Sequence, residues 1–308
     1  MFQRILVPLD DSTRVSGALR IAASIATWTG AQLVLTHSEQ GSASAQNVIS
    51  ARTAMQRHVN ALRQQGIQAE YAVETGTREE GIVAATRDRQ ADLILLVPAR
   101  REQLEILWYP RSTTHLLNAL PAPLLIWPEH QVSDDLLAPP EATVMVPLDG
   151  DPDAERSLPF AVALAERYHR SLVLMRAVPA TADTGCRDSV RGDGCFSDQV
   201  ERATAYLHAL REHLERTTTE TIQCVVVAHE PATQMLRAAD TYHAGIIVLC
   251  SHSHQTKERY FMGCVATQLL REASVPILVV PPRIEMLRPA TAGTATTSHG
   301  KMAAGVHS

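Results

Sequence analysis

The stretch ILVPLDDS at residues 5–12 recurs as VMVPLDGD at residues 144–151, which lie 139 positions further along the chain. Each copy is a short aliphatic and β-branched run that ends in Pro, Leu and Asp, a pattern typical of a buried strand entering a turn. In a chain of 308 residues, this repeat predicts two domains of the same fold, because an ordinary domain has roughly 150 residues.

Three further pairs of apolar segments repeat in the same order. They are QLVLTH and SLVLMR from residues 32 and 171, ADLILLVP and AGIIVLCS from 91 and 244, and APLLIWP and VPILVVP from 122 and 275. The first pair keeps the offset of 139 residues, whereas the later pairs are 153 apart. The second copy therefore carries extra residues between its second and third strands, where the cysteine-containing segment GCRDSVRGDGC lies.

Longer segments of helical period separate these apolar runs, and the alternation predicts an α/β fold with a parallel sheet buried on both faces. After the first strand, Ser12 is a plausible N-cap and Gly30 a stop for an amphipathic helix. In the second copy, Pro159 falls inside the corresponding apolar stripe. The sequence leaves two alternatives there, a helix that starts late and a helix that kinks.

Composition and charge restrict the function. The formal net charge of −5 is spread over interspersed acidic and basic residues, so neither nucleic acid nor an anionic membrane is an expected partner. No apolar run approaches the roughly 18 residues of a membrane span, and no signal peptide is recognisable, so we expect a cytoplasmic protein. The odd number of cysteines favours free thiols, with a pair between Cys186 and Cys195 under oxidation as the alternative.

These patterns divide the chain into four parts. We expect a first domain at residues 1–128, a Pro-rich linker at 129–142, a second domain at 143–283 and a disordered tail at 284–308.

Taken together, the two VPLD strands, the penultimate strands DLILLV and GIIVLC, and the last strands PLLIWP and PILVVP resemble tandem universal stress protein domains. The resemblance covers most of the chain. It implies two tandem Rossmann-like domains of the adenine nucleotide alpha hydrolase-like type, each a five-stranded parallel sheet flanked by helices. It also implies pseudo-two-fold packing, with the last strands around residues 124–127 and 277–280 at the contact.

Families of this fold bind ATP or AMP through two glycines separated by two residues, followed nine residues later by a Gly-Ser or Gly-Thr pair. The glycines let backbone N–H groups approach phosphate oxygens closely. In the second copy this spacing falls on Cys250, Ser253, Gly263 and Cys264, of which only Gly263 matches. In the first copy it falls on Val97, Arg100, Pro110 and Arg111, and none matches. The resemblance therefore implies a nucleotide site in the second copy alone, degraded in its motif.

By the same resemblance, Asp149 would meet the ribose or adenine and Ala177 would flank the base. Phosphates would meet Gly263, Cys264, Val265 and Ala266. A simpler role for Asp149, which the sequence leaves open, is to accept backbone N–H groups at a turn. For Asp10 in the first copy, this turn role is the expected one.

A metal site is the other interpretation of residues 248–267. It would use Cys250, His252, His254 and Cys264, which are suitable zinc ligands by type but not by spacing. We therefore expect no metal.

The chain has no nucleophile elbow, Walker P-loop or paired catalytic carboxylate, so no enzyme activity is expected. Glu79 and Glu80 in GTREEG are predicted to be first-turn carboxylates of a helix. Two functions remain. One is a non-catalytic stress-response binding or signalling module with weak ATP or AMP binding in the second domain. The other is a pseudo-dimer that binds an unidentified protein partner and no nucleotide. Assembly into a homodimer is compatible with both.

Overall fold

The computed structural model describes residues 2–9, 15–39, 45–97, 120–128, 137, 139–178, 196–228, 230–251 and 264–281. The strands in these ranges are β1 (Arg4–Pro8), β2 (Gln32–Glu39), β3 (Ala69–Thr75), β4 (Leu93–Leu96), β5 (Leu124–Ile126), β6 (Thr143–Pro147), β7 (Leu172–Val178), β8 (Ile222–Ala228), β9 (Ala244–Cys250) and β10 (Ile277–Val280). The helices are α1 (Val15–Thr29), α2 (Ala45–Gln64), α3 (Arg78–Asp88), α4 (Leu158–Tyr168), α5 (Phe196–Leu214), α6 (Pro231–Thr241) and α7 (Cys264–Glu272).

All ten strands form one sheet in the order β3-β2-β1-β4-β5-β10-β9-β6-β7-β8. Each half has five parallel strands, and the strand order of the second half repeats that of the first. The halves join where β5 and β10 pair antiparallel. The predicted α/β class, the five-stranded parallel halves and the contact between the last strands are therefore confirmed.

Helices cover both faces of the sheet in two apolar layers. The first layer packs α1, α2, α4 and α5 against one face, through residues such as Ile25, Val59 and Leu164. The second layer packs α3, α6 and α7 against the opposite face. Each layer includes buried residues from both halves of the sheet. The two copies thus share one continuous core on each face.

Helices α1 and α4 also touch across the two halves. Their aromatic residues Trp28 and Tyr168 meet edge to face with ring centroids 4.7 Å apart. One residue earlier, Arg167 donates from Nη2 to the Trp28 carbonyl at 2.8 Å. Trp28 and Arg167 are 139 positions apart and so occupy equivalent sites in the repeat.

In the second copy the first helix starts late, and it is not kinked by Pro159. A 3-10 turn over Ala154–Ser157 precedes α4, and α4 begins at Leu158. Pro159 therefore lies in the first turn, where its missing N–H removes no helical hydrogen bond. In the first copy, Gly30 ends α1 with a φ of 74°, as predicted for a helix stop.

Thr77 and Glu80 cap α3. The Glu80 N–H donates to the Thr77 hydroxyl at 3.2 Å, and the Thr77 N–H donates to the Glu80 carboxylate at 3.0 Å. This is a capping box. Glu79 and Glu80 both lie in the first turn, which confirms their prediction as dipole-compensating carboxylates.

Some sequence-based expectations concern residues outside the described ranges. They are the capping role of Ser12, the pairing of Cys186 with Cys195 and disorder in the tail at 284–308. Within the described ranges, neither Cys224 nor Cys250 forms a disulfide. Leu137, in the predicted linker, is fully buried in the first apolar layer, and Arg170 donates to its carbonyl at 3.2 Å. That point of the linker is anchored to the second copy.

Candidate functional site

The second copy has a topological switch point at β6. The next strand in the chain, β7, lies on one side of β6, and β9 lies on its other side. In open α/β sheets, ligands bind in the crevice at such a switch point, beyond the carboxyl ends of the strands. The last aligned pair of these strands is Met145 with Ile247. Asp149 and Ser251 each follow four residues later, so both residues lie just beyond the carboxyl ends.

Asp149 has a local structural role in the loop after β6. Its Oδ1 accepts a hydrogen bond from the Asp151 N–H at 2.9 Å, and Asp151 in turn accepts one from the Asp153 N–H at 2.9 Å. These successive turns lead the chain from β6 into the 3-10 turn before α4. The turn role that the sequence left open for Asp149 is therefore present. A role toward ribose or adenine stays a prediction.

A cation, Arg176, lies near the carboxyl end of β7, at the same edge of the sheet. The Arg176 guanidinium lies over the Tyr206 ring, 5.1 Å from its centroid. It also lies against the main chain of Gly150, where a β-carbon would be only 2.7 Å from Nη1 of Arg176. Gly150 has a φ of 90°. The conformation therefore favours glycine at this position, and a side chain there would displace the end of Arg176.

Tyr206 connects this cation to the 3-10 turn. Its hydroxyl donates to Oε1 of Glu155 at 3.0 Å. Burial is the main cause that raises the pKa of Tyr206 above its ordinary value, and the hydrogen bond to Glu155 adds to it. The phenol therefore remains protonated at neutral pH and keeps its donor role. Together, Glu155, Tyr206, Arg176 and Gly150 hold one positive charge at the carboxyl edge of the second copy.

This cluster was not predicted from the sequence. Its members come from β7, α5 and two turns, so no local spacing joins them. The one available signal is Arg176 itself, a charged residue near the end of the otherwise apolar strand LVLMRAV. Its equivalent in the first copy, 139 positions earlier, is His37.

Five of the other predicted site residues lie within the described ranges. Ala177 in β7 packs against the second apolar layer. Cys250 ends β9 and is buried. Cys264 is the first residue of α7, and Val265 and Ala266 follow it, half-buried against the second layer. Ser253 and Gly263 lie outside the described residues, so their predicted contacts with phosphate are not tested.

Ser251, which the sequence did not single out, follows Cys250. Its side chain is buried at 4% exposure, and its hydroxyl oxygen has no hydrogen-bond partner among the described residues. The Ser251 N–H donates to the Val280 carbonyl at 3.0 Å, which fixes the backbone there. A buried hydroxyl without a partner costs about 1–3 kcal/mol. It marks a place where a ligand oxygen or a water molecule is favoured.

The first copy has a different arrangement at the equivalent edge. His37 is buried, with its Nδ1 3.3 Å from the Leu9 carbonyl oxygen. An imidazole held against the main chain thus replaces the arginine of the second copy. Thr36 next to it also has a buried hydroxyl with no partner in the described ranges. Asp10 lies outside those ranges.

In the ranges that the structure describes, no three His, Cys, Asp or Glu side chains come together as a metal site would require. His252 and His254 lie outside those ranges, as does the side chain of Cys264. No helix among the described residues is long and apolar enough to cross a membrane.

Comparison with known proteins establishes the family. The sequence model of the universal stress protein family matches the chain twice, at residues 1–128 and 142–281. The chain belongs to the universal stress protein family. It is a tandem universal stress protein, as its repeat predicted. No curated protein sequence matches it.

Solved structures agree with this family. A universal stress protein from Archaeoglobus fulgidus DSM 4304 is 13% identical with a TM-score of 0.65, and covers 91% of this chain and 98% of its own. A putative universal stress protein from Pseudomonas aeruginosa UCBPP-PA14 is 18% identical with a TM-score of 0.62, and covers 91% of this chain and 93% of its own. The cytoplasmic domain of a prokaryotic cation chloride cotransporter is 14% identical with a TM-score of 0.51, and covers 91% of this chain and 95% of its own. At these identities the likeness shows the shared fold.

Proposed function

We propose that this universal stress protein is a non-catalytic binding module that responds to ATP or AMP through one weak site in its second domain, residues 143–283. The first domain, residues 1–128, is its structural partner, and residues 129–142 join the two. The observation that carries this proposal is the buried hydroxyl of Ser251, which has no hydrogen-bond partner among the described residues and follows β9 where Asp149 follows the neighbouring strand β6.

Two charges at this edge favour an anionic ligand. Arg176 supplies a positive charge over the Tyr206 ring, and the carboxylates of Glu155 and Asp149, which lie near the same ring, offset part of that charge. Helix α7 has no acidic residue in its first turn, so the partial positive charge of its amino terminus is not compensated there. By contrast, Glu80 and Glu230 cap α3 and α6 with carboxylates. The amino terminus of α7 therefore suits a phosphate better than those of α3 and α6.

The remaining residue roles follow the family pattern. Asp149 and Ala177 would contact the ribose and the base. The loop from Cys250 through Ser253 to Gly263, and the first turn of α7 at Cys264, Val265 and Ala266, would contact the phosphates. Because two of the three glycine positions, Cys250 and Ser253, carry a β-carbon, backbone N–H groups approach phosphate less closely and the affinity is expected to be weak.

Thermal melting of the full chain with and without millimolar ATP tests the proposal, because a ligand that binds only the folded state raises the melting temperature. Ser251→Ala should reduce this rise, since it removes the hydroxyl that a ligand oxygen would use. Loss of an unsatisfied buried hydroxyl should not itself destabilise the fold. Thr36→Val is the matched control, because it removes the buried hydroxyl of the first copy and should leave the rise unchanged.

Two results would contradict the proposal. An equal loss of the ATP effect in Thr36→Val would place the site in the first copy or outside both. A wild-type melting temperature that does not change with ATP or AMP, with or without magnesium, would contradict a nucleotide-binding role. The protein-interaction pseudo-dimer would then be the better description, a reading that the continuous core of the two copies also supports.

A further inference from the structure

The two outer strands of the ten-stranded sheet are β3 and β8, and among the described residues each has one strand neighbour. β8 pairs with β7 over its whole length, from Leu172 opposite Ile222 to Val178 opposite Ala228. The Leu172 N–H donates to the Thr221 carbonyl at 2.8 Å. In a parallel ladder, this bond directs the main-chain groups of Ile222, Cys224, Val226 and Ala228 away from β7, toward the free edge.

Among the residues that the structure describes, the free edge of β8 has none of the usual protection against pairing. Its sequence is IQCVVVA, with three consecutive valines and without charge or proline, and its register with β7 has no bulge. Proteins usually protect an exposed edge with lysine, proline, bulges or a very short strand. A regular, uncharged strand of seven residues is therefore ready to accept another strand.

β3, the equivalent outer strand of the first copy, is protected. Its register with β2 directs Ala69 outward in the same way, but the Arg63 Nε donates to the Ala69 carbonyl at 3.0 Å and occupies that acceptor. β3 also carries Glu70 and Glu74. Two-fold antiparallel pairing of β3 about Ala72 would place these carboxylates directly opposite each other, which is unfavourable.

We propose that β8 is an assembly edge that pairs antiparallel with β8 of a second copy of this chain, about a two-fold axis at Val225. This register uses all seven residues. It places Cys224 opposite Val226 and Ile222 opposite Ala228 as hydrogen-bonded pairs, with Gln223 opposite Val227. No charge meets a like charge. The β5 and β10 pair within the chain already joins equivalent strands antiparallel, and the proposed contact would extend the sheet to twenty strands in the same way.

Sedimentation velocity of the full chain, at concentrations from roughly 1 to 100 µM, tests this assembly, since a single strand pair is at the small end of specific interfaces. The wild type should show a monomer–dimer equilibrium. Val226→Pro removes one outward N–H and leaves the ladder to β7 intact, because Val226 bonds toward the free edge. It should weaken dimerisation at least tenfold. Because the Val226 side chain also packs against the first apolar layer, the melting temperature should fall too, and sedimentation is measured well below it. A wild type that stays monomeric or forms open-ended aggregates, or a dimer that survives this substitution, would overturn the proposal.

Cross-linking gives a second test that does not depend on the stability of the proline variant. The proposed axis puts Val225 opposite its own copy, in a non-hydrogen-bonded pair with Cα atoms about 4.5 Å apart, within disulfide range. Val225→Cys should therefore give a covalent dimer under mild oxidation. Val227→Cys is the control, since residue 227 faces Gln223 of the other copy. Equal cross-linking of both variants, or none for Val225→Cys, would contradict the register.

Wild-type protein provides the background for that experiment. In the proposed register Cys224 faces Val226, so the native thiol has no cysteine opposite it. The Cys224 Sγ also contacts the Leu207 carbonyl at 3.4 Å. Burial raises its pKa, which makes it less reactive. Oxidised wild type should accordingly remain free of a Cys224 cross-link.

Discussion

Leu125 in β5 lies directly opposite Leu278 in β10, and the two residues are repeat equivalents, 153 positions apart. A residue that faces its own equivalent lies on the symmetry axis. The pseudo-two-fold axis of the molecule therefore passes through this pair. Both side chains are buried, with exposures of 3% and 1%, so the axis runs through the core.

We expect the two copies to unfold as one unit. Leu125→Ala and Leu278→Ala should each lower the free energy of unfolding by about 2–5 kcal/mol, because each leaves a cavity in the shared core. Hydrogen exchange should show that either substitution reduces protection in both copies alike. Ile49→Ala is the control, since Ile49 is 58% exposed and should change stability by less than about 0.5 kcal/mol. Loss of protection confined to the substituted half would argue against a single cooperative unit.

Gly150→Ala should destabilise the second copy mainly through its backbone conformation. The positive φ costs a β-carbon about 1–2 kcal/mol. The new β-carbon would also displace the Arg176 guanidinium, but this group is the end of a flexible side chain and can move away. A double-mutant cycle in urea unfolding separates the two effects. In an Arg176→Ala background, most of the cost of Gly150→Ala should remain. A cost that disappears in that background would show that contact with Arg176, and not φ, sets the requirement for glycine.

Tyr206→Phe should cost about 0.5–1.5 kcal/mol near neutral pH, since the hydrogen bond to Glu155 is lost. The pKa of Tyr206 is raised in the folded state, mainly by burial. Its contribution is therefore complete below the unfolded-state pKa of about 10 and declines as the pH rises through that value. The stability gap between wild type and variant should shrink between pH 8 and pH 11. A stability difference that increases with pH would contradict a raised pKa of Tyr206 in the folded state.

Glu80→Gln should alter stability in acid. The hydrogen bonds with Thr77 lower the pKa of Glu80, so its charge stabilises the fold above its ordinary pKa and this contribution is lost as the pH falls. Glutamine keeps an acceptor for the Thr77 N–H but does not titrate. Melting temperatures of wild type and variant should therefore differ at pH 7 and converge near pH 3. Glu79→Gln, in the same turn but outside the capping box, is the matched control and should show a smaller difference at pH 7.

The sequence was sufficient to predict the strands because strand patterns are local. The repeat of ILVPLDDS as VMVPLDGD located both first strands. The contact between the last strands was implied by the family resemblance, and the pairing of β5 with β10 confirms it. Pro159 left two outcomes open, because a proline fits both the first turn of a helix and a kink. Because a 3-10 turn precedes Leu158, Pro159 lies in the first turn of the helix.

The candidate site was less predictable because its contacts are long-range. Arg176 and Tyr206 are far apart along the chain, and only the packing of α5 on the sheet brings them together. Likewise, nothing in residues 248–251 indicates that the Ser251 hydroxyl lacks a partner, since that depends on its neighbours in space. The family motif predicts glycines at the phosphate site, whereas the residues that the structure places at this edge are Arg176 and Ser251.

The contact between α1 and α4 combines groups that each half supplies only once. Trp28 and Arg167 hold the same place in the repeat, and the Arg167 guanidinium donates to the Trp28 main-chain carbonyl. The Trp28 ring packs against Tyr168, whose repeat equivalent is Thr29. A pair of first halves would therefore lack both the guanidinium donor and the tyrosine, and a pair of second halves would lack the indole. The complete contact forms only between a first half and a second half.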